Sequence, residues 1–509
     1  MNNFKDKASA FLRGRTFSGS ATVMIIVACV VFFNMIFYTI GQNVQLYLRF
    51  DEQVDLSISS ASDKNFADAV SRGDKVTVTF CMDRSVIANH SSGKFVLDTA
   101  ERFAEEYPEL ITLKFVNIVT QIDHIDENGK PVLMENIDVY QKYCEDNGIP
   151  LSRYSIIFEC GNKLKILTDN YSSIGFGDFF TFDSSNSATS YSGEETFASM
   201  VNYVLRDGDV KRAYFTTGHS EVPSISLYNV LTRAGYEVKE INLRQVDKIP
   251  DDAGLIVISN PVSDFARSAN PELRTEIELL RSYAERGGNF LVTLDPIASN
   301  TPVLYDFLSE FGFAVNMSDE GDTHIVKDVS NGITTDGFTL VANYSGDGVA
   351  QTLKSRTDIG GGNIVLRYVA ALTLSGSAKP LLTASTSAVT EAAGDTVDTT
   401  GGYCIAAYSE HLYDGGETAS MVVVPSVFLT ATDAIVTNGY ANKDFIYAIC
   451  ETLYEQDNMI YGCNSYVYND TVLENLTMRT ATIYTAAIMA IPVALAAVGI
   501  VVIVKRKNR

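Results

Sequence analysis

Short apolar runs, separated by turn residues and amphipathic segments, characterise the chain at 212–296. Apolar positions at 213–217, 238–243, 255–259 and 290–294 predict four strands. Between these runs, apolar residues three and four positions apart predict covering helices. Near-continuous apolar strands that alternate with helices are typical of a parallel sheet with both faces buried. We therefore expect a Rossmann-like parallel α/β domain at this point of the chain.

A second α/β pattern comes earlier in the sequence. Alternating residues at 75–83 predict a strand, and an apolar stripe at 95–107 predicts a helix. Two later runs, at 155–160 and 163–167, flank a Gly-Asn pair and predict a hairpin. This order resembles a thioredoxin-like layout, although the chain contains no C-x-x-C pair. A redox role is therefore disfavoured.

Two long apolar stretches lie near the ends of the chain. Residues 21–40 and residues 480–504 contain no charged side chain, and each stretch is long enough to cross a hydrocarbon core of ~30 Å. Basic residues flank them on the outer side, at 1–20 and 505–509. Because Lys and Arg favour the cytoplasmic side, the pattern predicts two transmembrane helices with both termini in the cytoplasm. A lipidated Cys29 is the disfavoured alternative, since membrane-like residues continue beyond it.

These patterns predict a domain organisation. An extracytoplasmic thioredoxin-like α/β domain is expected at 63–193, followed by an extracytoplasmic Rossmann-like domain at 194–460. The predicted location is the plasma membrane, with most of the chain outside the cytoplasm.

Charge and cysteine usage narrow the function classes. The formal net charge is -23 although both tails are basic, so the middle of the chain is strongly acidic. Such a surface repels phosphate backbones, and nucleic acid is therefore excluded as an expected partner. The 7 Cys show no metal-binding or disulfide framework, and a pairing of Cys144 with Cys160 stays open.

Candidate ligand-binding residues lie at the predicted carboxyl ends of the strands, where open α/β sheets bind ligands. They are Gly218, His219 and Glu221 after the first strand, Asn260 after the third and Asp295 after the fourth. A His, two carboxylates and an amide suit a sugar, a peptide or a metal ion.

A structural role for these residues is the favoured alternative. In that interpretation Gly218 forms a tight turn, Ser220 or Glu221 caps the next helix, and Asp295 ends a strand. Strand ends in any such sheet collect these residue types.

The sequence also bears on enzymatic activity. Neither a Gly-x-Ser-x-Gly nor a Gly-x-Cys-x-Gly elbow occurs, and none of the 5 His is paired at metal-ligand spacing. We therefore predict a protein that is not an enzyme and has no catalytic residues, metal or cofactor.

Several segments together resemble one family. They are YFTTGHSE (214–221), GYEVKEINL, DAGLIVISNP, GGNFLVTLDP, PLLTAST (380–386) and ANKDFIYAICETLYEQDNMI. In this order they resemble the GldG-like auxiliary component of ABC-type transport systems, a family associated with gliding motility. The soluble part of that family resembles a domain shared with intraflagellar transport proteins, and its sheet is similar to that of amidotransferases.

This resemblance implies an auxiliary, non-ATPase subunit that docks on an ABC permease or binds a substrate. The permease and the cytoplasmic ATPase are then separate chains, in agreement with the lack of a G-x-x-x-x-G-K-[ST] motif here. A surface scaffold or adhesion protein without a transporter partner is the alternative, and an extracytoplasmic hydrolase is a third. Direction of transport and substrate are left open.

Overall fold

The computed structural model describes most of the region between the two long apolar stretches. The described residues are 58, 63–126, 129–134, 136–168, 175–182, 188–206, 210–221, 224–265, 275–298, 301–345, 363–437, 439–454, 463 and 466–467. All of them fall within one structural unit.

The N-terminal part of this unit contains a small mixed sheet. Its helices and strands are α1 (Asp63–Arg72), β1 (Val76–Phe80), α2 (Arg84–Ala88), α3 (Gly93–Glu106), β2 (Ile111–Phe115), β3 (Ile122–Ile125), β4 (Pro131–Leu133), α4 (Ile137–Asn147), β5 (Ile156–Cys160), β6 (Lys163–Leu167), a 3-10 helix (Gly177–Phe179), β7 (Phe180–Phe182), β8 (Ala188–Tyr191) and α5 (Gly193–Leu205). The strand order is β2-β1-β5-β6, in which β1 and β2 are parallel and the other pairs are antiparallel. Helix α5 packs on this sheet through Phe197, whose ring stacks on Phe103 at 4.8 Å and meets Phe158 edge-on at 5.4 Å.

The larger sheet begins with an α/β alternation. Its elements are β9 (Arg212–Thr216), α6 (Ile225–Arg233), β10 (Glu237–Ile241), a 3-10 helix (Leu243–Gln245), β11 (Ala253–Ser259), α7 (Glu276–Ala284), β12 (Asn289–Thr293) and α8 (Pro302–Glu310). Strands β10, β9, β11 and β12 are neighbours in that order, and all of their pairings are parallel. The four strands predicted in this stretch are therefore confirmed to within about two residues.

Later elements extend the sheet and add smaller ones. They are β13 (Phe313–Val315), β14 (Ile325–Lys327), β15 (Thr339–Val341), β16 (Asn343–Tyr344), β17 (Val365–Arg367), β18 (Leu372–Leu374), β19 (Lys379–Thr383), β20 (Val389–Ala392), β21 (Asp395–Asp398), β22 (Cys404–Leu412), β23 (Thr418–Val424), a 3-10 helix (Val427–Thr430), α9 (Thr432–Val436), α10 (Asn442–Tyr454) and β24 (Tyr466–Val467). Strand β23 pairs in parallel with β12, and β22 then pairs antiparallel with β23. The sheet continues through β18 to β13, and through β19 to β16. It is therefore mixed, with a parallel half and an antiparallel half.

Strands β9, β11 and β12 are buried on both faces, whereas the outer strand β10 is largely half-buried. Successive side chains of a strand point to opposite sides of the sheet. On one face, Phe215 and Val257 pack in a core with helices α6 and α10. On the other face, Tyr214 and Ile256 pack in a second core with helices α7 and α8. Burial on both faces explains why β9, β11 and β12 are nearly continuous apolar runs in the sequence.

The predicted membrane architecture requires correction. Both stretches predicted to span a bilayer, 21–40 and 480–504, lie outside the described residues. Among the residues that the structure does describe, no helix has the length and apolar character to cross a membrane. The predicted fold class with two transmembrane helices, and the predicted plasma-membrane location, are therefore wrong as stated. The fold is mixed α/β with several sheets.

A buried ion network joins helix α5 to the larger sheet's helices. The carboxylate of Glu195 is 1% exposed and accepts a hydrogen bond of 2.7 Å from Lys443 Nζ on α10. The Tyr447 hydroxyl also donates to Glu195, and Arg233 of α6 lies 3.8 Å away. Burial by itself raises the pKa of Glu195, but Lys443 and Arg233 outweigh it and hold the pKa below its usual range. The carboxylate therefore stays charged, and its contacts link helices α5, α6 and α10.

We expect Glu195→Gln to lower the free energy of unfolding by roughly 3–5 kcal/mol, because it leaves buried cations without their anion. Urea denaturation of the purified protein measures this loss. Glu310→Gln is the matched control, since it removes the carboxylate of the partly exposed Arg281–Glu310 pair. That change should cost less than about 1 kcal/mol. Equal losses in the two variants would contradict a central role for Glu195.

Candidate functional site

The strand order of the parallel half predicts a crevice at the carboxyl ends of its strands. Strand β9 comes first in the chain, and the next two strands lie on its opposite sides, β10 on one and β11 on the other. The connections that leave β9 and β11 therefore run to opposite sides of the sheet. Open α/β sheets bind ligands where the strand order reverses in this way, at the topological switch point. The loop that follows β9 contains Gly218, His219 and Glu221, and the loop that follows β11 contains Asn260.

A tight turn shapes the loop after β9. Gly218 has φ +113, a left-handed conformation that glycine adopts without a steric penalty, and Ser220 follows with φ +62. This turn returns Glu221 towards the strand, so that its Oε2 accepts a hydrogen bond of 2.7 Å from the His219 backbone N–H. The conformation of Gly218 agrees with the predicted turn.

The His219 ring is enclosed by carboxylates. It is fully buried, with Nδ1 at 2.8 Å from Glu221 Oε1 and Nε2 at 3.0 Å from Glu276 Oε1. Phe265 stacks on the ring with centroids 3.9 Å apart. Arg244 donates to the same oxygen of Glu276 at 3.2 Å. We call these four charged residues, Glu221, His219, Glu276 and Arg244, the His219 cluster.

The surroundings of His219 favour its charged form. Burial alone would lower the pKa of the imidazole, but hydrogen bonds to Glu221 and Glu276 outweigh it and raise the pKa to about 9. Burial likewise opposes ionisation of Glu221, yet its bonds to His219 bring the pKa of this carboxyl below its usual value. At neutral pH the ring is therefore an imidazolium that donates from both nitrogens, and the cluster contains two positive and two negative charges.

Helix α6 begins in a different way from the prediction. Its N-cap is Ser224, whose side chain accepts a hydrogen bond from the Leu227 backbone N–H. The expectation that Ser220 or Glu221 caps this helix is wrong, because Glu221 instead binds His219. Helix α7 is likewise capped by Thr275, which forms a capping box with Glu278.

Asn260 and Asp295 are placed on neighbouring strand ends but outside the His219 cluster. Asn260 is 8% exposed, has φ +52, and donates its backbone N–H to Thr293 at 2.9 Å. Asp295 Oδ1 accepts from the backbone N–H groups of Ile297 and Ala298, both at 3.0 Å. The structure thus joins His219 to Glu221, and it leaves Asn260 and Asp295 in separate local contacts.

Metal and thiol chemistry find little support in the described residues. Among them, no group of three or more His, Cys, Asp or Glu side chains is arranged to hold a metal ion. Cys144 and Cys160 are both free thiols, so the pairing left open by the sequence is not formed. Burial raises the pKa of the Cys144 thiol to about 11, and that of Cys81 to about 12. These thiols are protonated and poorly nucleophilic at neutral pH.

Sequence analysis missed Glu276 and Arg244. Glu276 lies 57 residues after His219, in the first turn of α7, and Arg244 follows β10. The sequence offered one signal for these two residues. Arg244 comes just after a predicted strand, and Glu276 lies near the start of a predicted helix. Many polar residues share that position, so the pairing with His219 required the three-dimensional structure.

Comparisons with known proteins do not identify a family. No family model matches the chain, and no curated protein matches it. Similar solved structures include the mmIFT52 N-terminal domain, at 17% identity and a TM-score of 0.36, covering 48% of this chain and 99% of that one. PurLQS from Thermotoga maritima has 13% identity and a TM-score of 0.28, covering 48% and 100%. Exo-beta-1,4-mannosidase Op5Man5 from Opitutaceae bacterium strain TAV5 has 12% identity and a TM-score of 0.27, covering 58% and 42%. Similarities this low assign no function.

The raised pKa of His219 predicts a pH dependence of stability. An imidazole whose pKa rises from 6.5 to about 9 on folding stabilises the fold fully below pH 6.5. That contribution, roughly 3 kcal/mol at its largest, is lost as the pH rises through 9. Urea denaturation of the wild-type protein between pH 6 and pH 9.5 should therefore show a decline that His219→Gln lacks. The exposed His124 provides the matched control, and His124→Gln should follow the wild-type curve. Parallel curves for wild type and His219→Gln would contradict the assigned charge.

Proposed function

We propose that the chain is a non-enzymatic auxiliary subunit of an ABC-type transport system that docks on the permease through protein contacts. Its partners are the permease and the ATPase, each a separate chain. The proposal combines the order of family-like segments in the sequence with the geometry of the His219 cluster and with an exposed apolar surface.

The observation that carries the proposal is an exposed apolar segment around the β3–β4 hairpin. Val119, Ile125, Leu133 and Val139 are 80%, 59%, 62% and 56% exposed. The hairpin pairs with no other described strand. Exposed apolar side chains so close together in the sequence suit a protein contact, since their exposure to water is unfavourable. We call residues 119–139 the hairpin segment.

The geometry of His219 disfavours its use as a general base. A general base needs a free ring nitrogen within reach of its substrate. Both nitrogens of His219 are held by carboxylates, and the ring is fully buried. The cluster is therefore suited to holding the loop after β9 against the start of helix α7.

Affinity purification of the full-length chain from its native cells in mild detergent tests the proposal. Mass spectrometry of the eluate should identify a multi-span permease and an ATPase with a Walker motif, in amounts comparable to the chain. If the chain elutes alone or only with itself, the transporter assignment fails and a scaffold function takes its place.

The hairpin segment is tested by two double variants. Ile125→Ser combined with Leu133→Ser should lose both partners, because it removes exposed apolar surface without disturbing the core. Ile297→Ser combined with Val329→Ser is the matched control, since these side chains are 65% and 63% exposed elsewhere. The control should retain both partners. Retention by the hairpin variant as well would exclude the hairpin segment as the docking surface.

A further inference from the structure

A cavity of about 720 Å³ lies between the small N-terminal sheet and the larger one. Helix α4, strand β6 and helix α5 contribute to one side, and α6 and β10 contribute to the other. Its lining includes Tyr143, Lys165, Met200, Tyr228, Val238 and Glu240. A cleft of this volume, between two sheets and with mixed apolar and polar walls, suits a metabolite-sized ligand.

One cation in this cavity makes no direct ion pair with any residue that the structure describes. The side chain of Lys165 on β6 is more than nine-tenths buried, at 9% exposed. No carboxylate of a described residue lies within 4.0 Å of its ammonium, and no described group forms a hydrogen bond with it. Its ammonium lies over the ring of Tyr203, whose centroid is 4.7 Å from Nζ.

Several charged groups around Lys165 are engaged with other residues. Glu237 accepts from Arg212 Nε at 3.1 Å and from the Tyr203 hydroxyl at 3.4 Å. Arg233, which also lines the cavity, lies against the buried Glu195. Glu221 reaches the cavity as well, and its two oxygens are bound to His219.

Burial is the largest influence on Lys165, and it lowers the pKa of the amine, with Glu237 and Asp178 opposing it. An ammonium that has lost water without a direct ion pair to a described carboxylate is unfavourable, because the more distant Glu237 and Asp178 offset only part of the cost of burial. A ligand anion at Nζ would supply a direct partner. Its binding would not require further removal of water from the lysine, because folding has already buried the ammonium. Charge-assisted bonds of this kind are among the stronger ones in proteins.

We propose that this cavity binds a small organic acid, with its carboxylate on the Lys165 ammonium and its body against Tyr143, Tyr228 and the aliphatic wall. The site does not depend on the transporter assignment, and it is tested with the purified full-length protein alone. Its failure would leave the hairpin segment and its partners untouched.

Isothermal titration with 4-hydroxybenzoate, succinate and D-glucuronate tests the site, each acid being compared with its neutral amide. We expect at least one acid to bind with 1:1 stoichiometry and its amide to bind more weakly by about tenfold or more. Lys165→Met should weaken binding of that acid by about 10- to 100-fold. Lys163→Met is the matched control, since it removes a lysine of the same strand that does not line the cavity, and it should bind as wild type does. If none of the three acids binds, or if Lys165→Met binds as wild type does, the proposal is overturned.

Amine acetylation of the wild-type protein provides a test that needs no variant. A saturating concentration of the bound acid should slow acetylation of Lys165 by acetic anhydride, as measured by peptide mass spectrometry. Lys163 should react at the same rate with and without the acid. An unchanged rate at Lys165 would contradict the proposed contact even if the Lys165→Met variant failed to fold.

Discussion

Burial of the parallel strands on both faces is the constraint on which the rest of this structure depends. Side chains on one face of β9 and β11 pack against α6 and α10, and those on the other face pack against α7 and α8. Each fully buried aliphatic side chain contributes roughly 1.5–3 kcal/mol, so the cost of exposing either face is large. Polar groups are consequently confined to the strand ends, where the crevice forms, and to contacts between the helices that cover the sheet.

Charges that enter this interior do so in compensated sets. Glu195 is matched by Lys443 and Arg233, and it links helices that are far apart in the sequence. His219 is likewise matched by Glu221 and Glu276. In both sets, removing one member leaves an uncompensated charge in surroundings of low polarity, which destabilises the folded state. Lys165 departs from this pattern, and that departure is the reason to regard its cavity as a binding site.

The sequence predicted the parallel half of the large sheet well, because its strands are short and apolar on both faces. The antiparallel half was harder to predict, since β13, β16 and β18 are only two or three residues long and have no periodicity of their own. At the site, His219 and Glu221 are two residues apart, and their association was within reach of sequence reasoning. Glu276 was not, because no local pattern relates the first turn of α7 to a loop 57 residues earlier.

The crevice at the switch point is where a ligand would be expected from the strand order alone. In this chain the protein's own side chains occupy it, because the His219 ring is fully buried there, with one nitrogen bonded to Glu221 of its own loop and the other to Glu276 at the start of α7. Glu221 belongs to the His219 cluster and also lines the neighbouring cavity, so the two regions share a wall. Both oxygens of Glu221 are bound to His219, so the carboxylate in this wall is already engaged within the His219 cluster. The position at the strand ends is thus filled by the protein's own charged groups, whereas in the cavity beside it Lys165 makes no direct ion pair with a described carboxylate.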